Sequence, residues 1–524
     1  MSLIPILGYP SSWRAPFSAV EIDFGQGPST ASGAQRRVVY FTPKLSTGTG
    51  TNGQAYKVNR EQDAIDIAGI GSFGHRMCRF HLLVDKDADL WIVPYAPSSG
   101  AGVATATGTI TVTMSSGSNP TATGLLLATV CGVDLTIGFK TSDTVTTIGD
   151  NIAAQINAQQ HLPLTAANAG GVVTLTAKTA GASSGDGTVG VLRFRASVDS
   201  GKNVVVATSG AALGLGTGTA GADGATTELT GLTSALANFT SASYYYMGFS
   251  VWSSTAIAII KTHVSNKSEP NPGLRCSAWT AYTGTQSALT TIANAINYER
   301  RYIVWQENSE HDCAELVAQT VAIHRKKESI RRNFVPDNYR GTDWLLRPQY
   351  DPNDWPTATE ANDAITDGIT PIGSDNTGSF LIMSVSTRSK NAAGTIDDFR
   401  AAERHRVSFM DYLADKWLAR DQATYQGFRL MKHKYLADNT TPDPNFKVPA
   451  ETVTEVLYRS FIARILDEDG ENGEGLLQDV DFWKESIRCN IDPGNVSRLE
   501  SGASGRTMDI RHQSTLRLAE TSPG

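Results

Sequence analysis

The chain has 524 residues, 40% of them hydrophobic, and a formal net charge of −7, which leaves room for roughly three or four domains of ~100–200 residues, each with a sizeable core. The mild negative charge argues against the basic face of a dedicated nucleic-acid binder, no apolar run reaches the ~18 residues of a membrane helix, and the first residues lack the basic and apolar regions of a signal peptide. Cys78, Cys131, Cys276, Cys313 and Cys489 are odd in number and form no CxxC, so reduced, mostly buried thiols are expected.

Residues 1–30 hold four prolines and read as an N-terminal arm. Within them Val20, Ile22 and Phe24 share one face of an alternating run, and Glu21 and Asp23 share the other. An isolated strand there leaves backbone groups unpaired, so it must join a sheet edge in its own chain or a neighbour's. Residues 31–100 read as the first part of an α/β core. Arg37–Phe41 and Leu90–Tyr95 are the expected strands. Between them Gly69-Ile70-Gly71-Ser72-Phe73-Gly74 matches GxGxxG. That fingerprint needs a strand immediately before it; Gln62–Ala68 reads at least as well as a helix, which favours plain turn glycines.

Residues 101–230 read as an inserted, mostly β domain. Its centre, Gly108–Leu192, is nearly free of charge. Thr109–Met114 and Val172–Thr176 alternate as strands. Ile152–Asn157 reads as a short helix, capped upstream by Asp143 or Thr144. The low-complexity run Thr208–Ala225 is expected as a flexible return link.

In residues 231–390, strands and helices alternate three times. Tyr244–Phe249, Cys276–Tyr282 and Tyr302–Trp305 are the strands. The helices are Ser253–Val264, Ser287–Asn297 (Leu289, Ile292, Ala293 and Ile296 inward) and Cys313–His324. This is the pattern of a parallel sheet with right-handed crossovers. Residues 391–505 turn helical. Ile396–Leu418 presents Phe399, Val407, Met410, Leu413 and Trp417, and Val453–Leu466 presents Val453, Leu457, Phe461 and Ile465. An acidic loop, Asp467–Gly475, follows. Residues 506–524 form a C-terminal arm whose strand places Met508, Ile510, Leu516 and Leu518 on one face and Arg511 and Arg517 on the other. The expected class is therefore multidomain α/β: a parallel core with an inserted β-rich domain, an α+β C-terminal domain and extended terminal strand arms.

Catalytic signals are thin. Gly284-Thr285-Gln286-Ser287-Ala288 faintly echoes a subtilisin nucleophile, but neither His75 nor His311 sits in a supporting motif, and Ser287 reads as a helix N-cap. Asp467-Glu468-Asp469-Gly470 begins like a calcium loop, yet Asn472 stands where the loop needs glycine, so a solvated acidic turn is expected. His324–Lys327 with Arg331-Arg332 reads as a helix end complementing the dipole. No catalytic, cofactor or metal site is expected.

Motif order carries more. Pro10–Phe24 (with Arg14, Pro16, Glu21 and Asp23) is followed by Ala64…Gly69-Ile70-Gly71-Ser72, then Ala106–Thr109, Asp143-Thr144, Leu162–Ala166 and Val173–Lys178. Later come Asp367–Pro371, Gly394–Asp397 and Asp492–Leu499. In this order the chain resembles the tail sheath proteins of contractile, Mu-like bacteriophages over nearly its whole length, with Cys489 and Gly494 departing from the pattern. The resemblance implies a non-enzymatic structural subunit with a subtilisin-like core. Such subunits polymerise as stacked hexameric rings around a tail tube and contract to drive the tube through the host envelope. It implies a place in the virion tail, assembly in the host cytoplasm, and as partners the chain itself, the tail tube protein, and baseplate and tail terminator proteins. No cofactor, nucleic acid or direct membrane contact is implied. The terminal arms would add strands to neighbouring subunits through Val20–Phe24 and Met508–Leu518, and Val453–Leu466 with its acidic loop would face the tube. The alternatives are the sheath of a phage-derived contractile injection particle, a subtilisin-like hydrolase, and a non-contractile capsid or adhesion protein. The inserted module is expected as an outward decoration.

Overall fold

A computed structural model describes residues 36–185, 190–209, 219–239, 242–268, 274–330, 338–388, 403–437, 441–470, 473–492 and 495–507. The chain opens with β1 (Val38–Pro43), β2 (Tyr56–Val58), α1 (Glu61–Ala68), α2 (Phe73–Val84) and β3 (Leu90–Tyr95). The insert carries β4 (Thr107–Met114), β5 (Gly124–Val130), β6 (Val133–Phe139), α3 (Val145–Ala158), β7 (Leu164–Ala169), β8 (Val172–Ala177), β9 (Phe194–Val198) and β10 (Val204–Thr208). The core resumes with α4 (Glu228–Ala237), β11 (Tyr246–Phe249), α5 (Ser254–Ser268), β12 (Ser277–Tyr282), α6 (Gln286–Ile296), β13 (Arg301–Trp305), α7 (Cys313–Ile330), α8 (Ala358–Thr366), β14 (Thr370–Asp375) and β15 (Gly378–Leu381).

These strands form an eight-stranded sheet in the order β15-β14-β13-β12-β11-β1-β3-β2. β14 through β3 run parallel, and β2 and β15 are antiparallel at the edges. The inner strands read VVYFTP and RYIVW and are buried at every position, as a sheet covered on both faces requires. Successive side chains part company across the sheet. Tyr40, Ile92, Tyr246, Trp279 and Tyr302 pack with Phe73 and Met77 of α2 and Leu316 and Val317 of α7. Val39, Phe41, Met247 and Phe249 pack with Leu232 of α4 and Ile260 of α5, and Ile303 and Trp305 with Leu289 and Ala293 of α6. Strand order reverses between β1 and β11, so the sheet is doubly wound about that point. The helix expected to open at Ser287 opens one turn-edge earlier: Thr285 is its N-cap residue, and Ser287 is exposed within the first turn rather than capping it.

The insert has two antiparallel sheets, β10-β4-β8-β7 and β6-β5-β9. α3 buries Ile148, Ile152 and Ile156 beneath them. Thr144 is the cap, accepting from Thr147 N at 3.2 Å; the helix is more than twice the expected length, because Val145–Asn151 adds two turns that are polar except at Val145, Ile148 and Gly149. The return segment is corrected. Its described end pairs with the outgoing chain at Ser99↔Thr226, Ala104↔Ala222 and Thr107↔Thr219, so it is a laddered neck there and not a loose link. Gly224 permits this, because a Cβ would meet the Ser99 carbonyl.

The rest of the chain carries α9 (Arg404–Tyr425), β16 (Arg429–Leu430), β17 (Thr452–Val453), α10 (Glu455–Asp469), β18 (Leu477–Gln478), α11 (Val480–Ser486), β19 (Arg488–Asp492), β20 (Asn495–Gly502) and β21 (Arg506–Thr507). Among the described residues, the larger of two compact units comprises 36–411, 467–480 and 505–507; the smaller includes 412–466 and 481–504. In the smaller unit β16 pairs parallel with β17, and β19–β20 is a hairpin. Three expectations fail here. Val453 lies in β17, before α10. Leu457 is 40% exposed, and Met410 of α9 is 44% exposed. Phe399 lies outside the described residues. Phe461 and Ile465 are buried as expected.

Candidate functional site

The arm residues Val20, Glu21, Ile22, Asp23 and Phe24, and Met508, Ile510, Arg511, Leu516, Arg517 and Leu518, lie outside the described residues. What the structure does place is the start of the C-terminal arm: Arg506 and Thr507 pair antiparallel with Gln478 and Leu477 of the same chain.

The GxGxxG stretch is a helix–turn–helix, with α1 before it and α2 after it. Its glycines serve packing. Gly69 turns the chain at φ +91, against Thr47 and Leu45. Gly71, at φ +77, lets the insert approach: a Cβ there would meet the Leu162 carbonyl and, at 2.5 Å, Lys178 Nζ. Gly74 seats α2 on the sheet, against Ile92 and Thr42. The two histidines of the subtilisin echo are engaged elsewhere. His75 Nδ1 accepts from Gly71 N at 3.0 Å and its Nε2 is 2.9 Å from Glu61. His311 Nδ1 is 2.7 Å from Glu315 and its Nε2 accepts from Arg347 N. His324–Lys327 of the basic run lie inside α7, where Arg325 reaches both oxygens of Asp85 at 2.8 Å and Lys326 is 3.0 Å from Asp343; Arg331 and Arg332 lie outside the described residues.

Two buried charge clusters organise the larger unit. The first docks the insert. The β5–β6 hairpin turns at Cys131-Gly132, both at positive φ, a two-residue turn of the kind that matches strand twist. Its tip meets the N-terminus of α7, where a Cβ on Gly132 would lie 2.7 Å from the His311 ring. Beneath it Arg76, 2% exposed, bonds to Asp312 and Glu315. Burial pushes the Glu315 carboxyl up, but the Arg76 guanidinium outweighs it and holds the group below the usual carboxylate range. Around the rim Arg195 pairs with Glu310 at 2.8 Å and Arg347 with Asp134 at 2.9 Å.

The second cluster centres on Glu328 of α7. It bonds to Arg36, accepts from the Tyr246 hydroxyl at 2.6 Å and the Ser408 hydroxyl at 3.1 Å, and lies 3.4 Å from Arg404. Burial raises its pKa, and Arg404 and Arg36 overcome that, holding it well below the usual carboxylate range. One turn further along α9, Asp411 takes both Arg300 nitrogens at 2.6 Å and the Tyr245 hydroxyl at 3.0 Å. Arg404, Ser408 and Asp411 are spaced to lie on one helix face, which is how the first turns of α9 are held within the larger unit. Sequence reasoning missed this cluster because the Ser408, Tyr246 and Arg36 partners of Glu328 lie 80 to 292 residues from it and each reads as an ordinary polar or charged side chain.

A cleft of about 210 Å³ opens where the neck of the insert meets the loop after β11, lined by Ser183, Asp223, Glu228, Leu229, Trp252 and Ser253 among others. Glu228, 5% exposed, accepts from the Tyr95 hydroxyl at 2.7 Å. Burial, with Asp223 nearby, pushes its carboxyl up to about 7.

Among known proteins, the chain is similar to the Mu-like prophage FluMu tail sheath protein of Haemophilus influenzae, 25% identical over 174 residues, which is 33% of this chain and 34% of that protein. The chain thus spans about a third of the length of that curated relative, and over that stretch the expected likeness to a Mu-like tail sheath is shown. No family model matches. Two solved structures align over most of the chain. The sheath tail protein of Desulfitobacterium hafniense does so with TM-score 0.44 and 13% identity, covering 94% of this chain and 100% of that one. That of Listeria innocua does so with TM-score 0.46 and 14% identity, covering 92% and 95%.

Proposed function

We propose that this chain is a structural tail sheath subunit that polymerises around a tail tube as stacked hexameric rings and contracts to drive the tube through the host envelope. The sequence likeness to a Mu-like tail sheath protein carries this reading. The smaller unit supports it: Leu418, Phe428, Leu436, Leu457 and Phe482 are 39–58% exposed there, and so much exposed apolar side chain on one small body suits a surface that neighbouring copies cover. The partners in this reading are further copies of the chain, the tail tube protein, and baseplate and terminator proteins. The terminal arms link neighbouring copies, each adding a strand by main-chain pairing, with Val20, Ile22 and Phe24 gaining ~1.5–3 kcal/mol apiece on burial.

The insert travels with the core in this reading, as a body fixed by the Arg76 cluster and the laddered neck. The test is negative-stain electron microscopy of the purified full-length protein. Hollow tubes with regular striations are the expected result. Monodisperse particles that stay so when purified tail tubes are added would overturn it.

A further inference from the structure

The cleft at the neck of the insert is built from three stretches of the larger unit. They are the turn at Ala182–Ser184, the returning side of the neck at Asp223 with the start of α4, and the loop that follows β11. Tyr95, whose hydroxyl donates to Glu228, is the last residue of β3. β3 and β11 flank β1 and run parallel to it. The cleft therefore lies at the carboxyl ends of parallel strands, beside the point where strand order reverses, which is the crevice in which open α/β sheets take ligands.

Its polar groups are left incomplete. Glu228 and Asp223 both line it, and among the described residues no Lys, Arg or His does. Glu228 is buried and receives only neutral donors, and Asp223 accepts from Ala182 N at 3.0 Å. A buried carboxylate with no cation beside it is costly. The Ser183 hydroxyl, on a residue 5% exposed, faces Glu228 yet has no hydrogen bond of normal geometry among the described residues. Leaving such a hydroxyl unpaired is a further cost that a ligand can remove. Leu229, Val251 and Trp252 supply an apolar wall, and a tryptophan face suits a cation. The volume, about 210 Å³, is that of roughly seven waters at ~30 Å³ each. It is less than the ~300 Å³ at which drug-sized pockets begin.

We propose that this cleft binds a small organic ammonium ion, which donates to Glu228, Asp223 and Ser183 and lays its carbon body against Leu229, Val251 and Trp252. An anion would meet two carboxylates. A bare metal ion would leave the apolar wall uncovered, and no group of three metal-ligating side chains occurs among the described residues. The inference does not depend on assembly into a sheath.

Calorimetric titration of the full-length protein with n-butylammonium chloride tests it, with n-butanol as the neutral isostere and magnesium chloride as the metal control. Saturable binding of n-butylammonium is expected at pH 8, with butanol and magnesium at least about tenfold weaker. Glu228→Gln should weaken binding by about tenfold or more. Ser183→Ala should weaken it about threefold or more without lowering the melting temperature of the unliganded protein, since it deletes an unpaired hydroxyl. Affinity should also fall about tenfold from pH 8 to pH 6, because the proton that burial holds on Glu228 up to about 7 competes with the ammonium; Asp223 and Tyr95 are the other titratable groups against it. The absence of saturable binding up to ~10 mM overturns the proposal, as does equal binding of butanol or magnesium. So does an affinity that neither variant nor pH changes. Should Glu228→Gln not fold, Ser183→Ala and the pH profile decide the question.

Discussion

Glu228 is a residue whose charge the fold opposes. Its carboxyl has an ordinary value of 4.5 and is pushed up to about 7 by burial. The folded state therefore binds its proton more tightly than the unfolded state. The stabilisation is fully present below about pH 4.5, is lost as pH rises through 7, and is level beyond. The span corresponds to on the order of 3 kcal/mol. Glu228→Gln keeps an acceptor for the Tyr95 hydroxyl and cannot ionise. Urea unfolding of both proteins from pH 4.5 to 8 should show wild type losing stability relative to the variant across that window, and a flat difference would refute the raised pKa. Gly71 is the complementary case, constrained by shape. At φ +77, with the Leu162 carbonyl against its α-carbon, Gly71→Ala should destabilise by roughly 1–3 kcal/mol for the backbone alone, read as a lowered unfolding midpoint. The glycine pattern was legible in the sequence, but its purpose was not. GxGxxG reports that backbone must come close to something, and only the fold shows that the something is the insert.

Elements were legible where one period dominated. The core strands are buried on both faces and their helices bury a single stripe, so Val38–Pro43, Ser277–Tyr282, Arg301–Trp305 and Gln286–Ile296 lie within a residue or two of their expected positions. In the insert the sequence reading found two strands and missed five. The β5–β6 hairpin was readable in principle: Leu126, Ala128 and Val130 alternate with exposed Leu125 and Leu127, and Cys131-Gly132 supplies the turn. Its alternation was masked because the outward positions are leucines instead of polar residues. The hairpin's partner cluster was not readable at all, since Arg76 lies on a helix 236 residues from Asp312. The cluster makes a graded prediction. Arg76→Met strands two buried carboxylates and should cost about 3–5 kcal/mol. Arg195→Met removes a partner 27% exposed and should cost about 1 kcal/mol or less. Denaturant unfolding of the two variants measures the gap. Equal losses would mean that the tip of the insert is not held by a desolvated ion pair.

At the scale of the whole molecule, alternation of strand and helix announced a parallel sheet, and the strand order shows it to be doubly wound. It could not announce that the insert leaves and returns through a paired neck, because Gly, Ala and Thr runs carry no period. The ends of the chain pose the sharper question. The C-terminal arm was expected over residues 506–524, and the structure puts Arg506 and Thr507 into an antiparallel pair with Gln478 and Leu477 of the same chain. Deleting 506–524 would therefore remove an internal pairing along with any donated strand, and a loss of assembly could then come from a damaged fold. Ending the chain after Thr507 separates the two effects. The expected outcome is a protein whose thermal unfolding stays within a few degrees of wild type, since a ΔΔG under about 1 kcal/mol shifts a chain of this size by roughly 2–4 °C or less, and which forms no tubes under the electron microscope. Tubes that persist after this truncation would remove the C-terminal arm from the assembly mechanism and leave the exposed apolar side chains of the smaller unit as its basis. A large fall in melting temperature would mean instead that residues beyond Thr507 complete the chain's own fold.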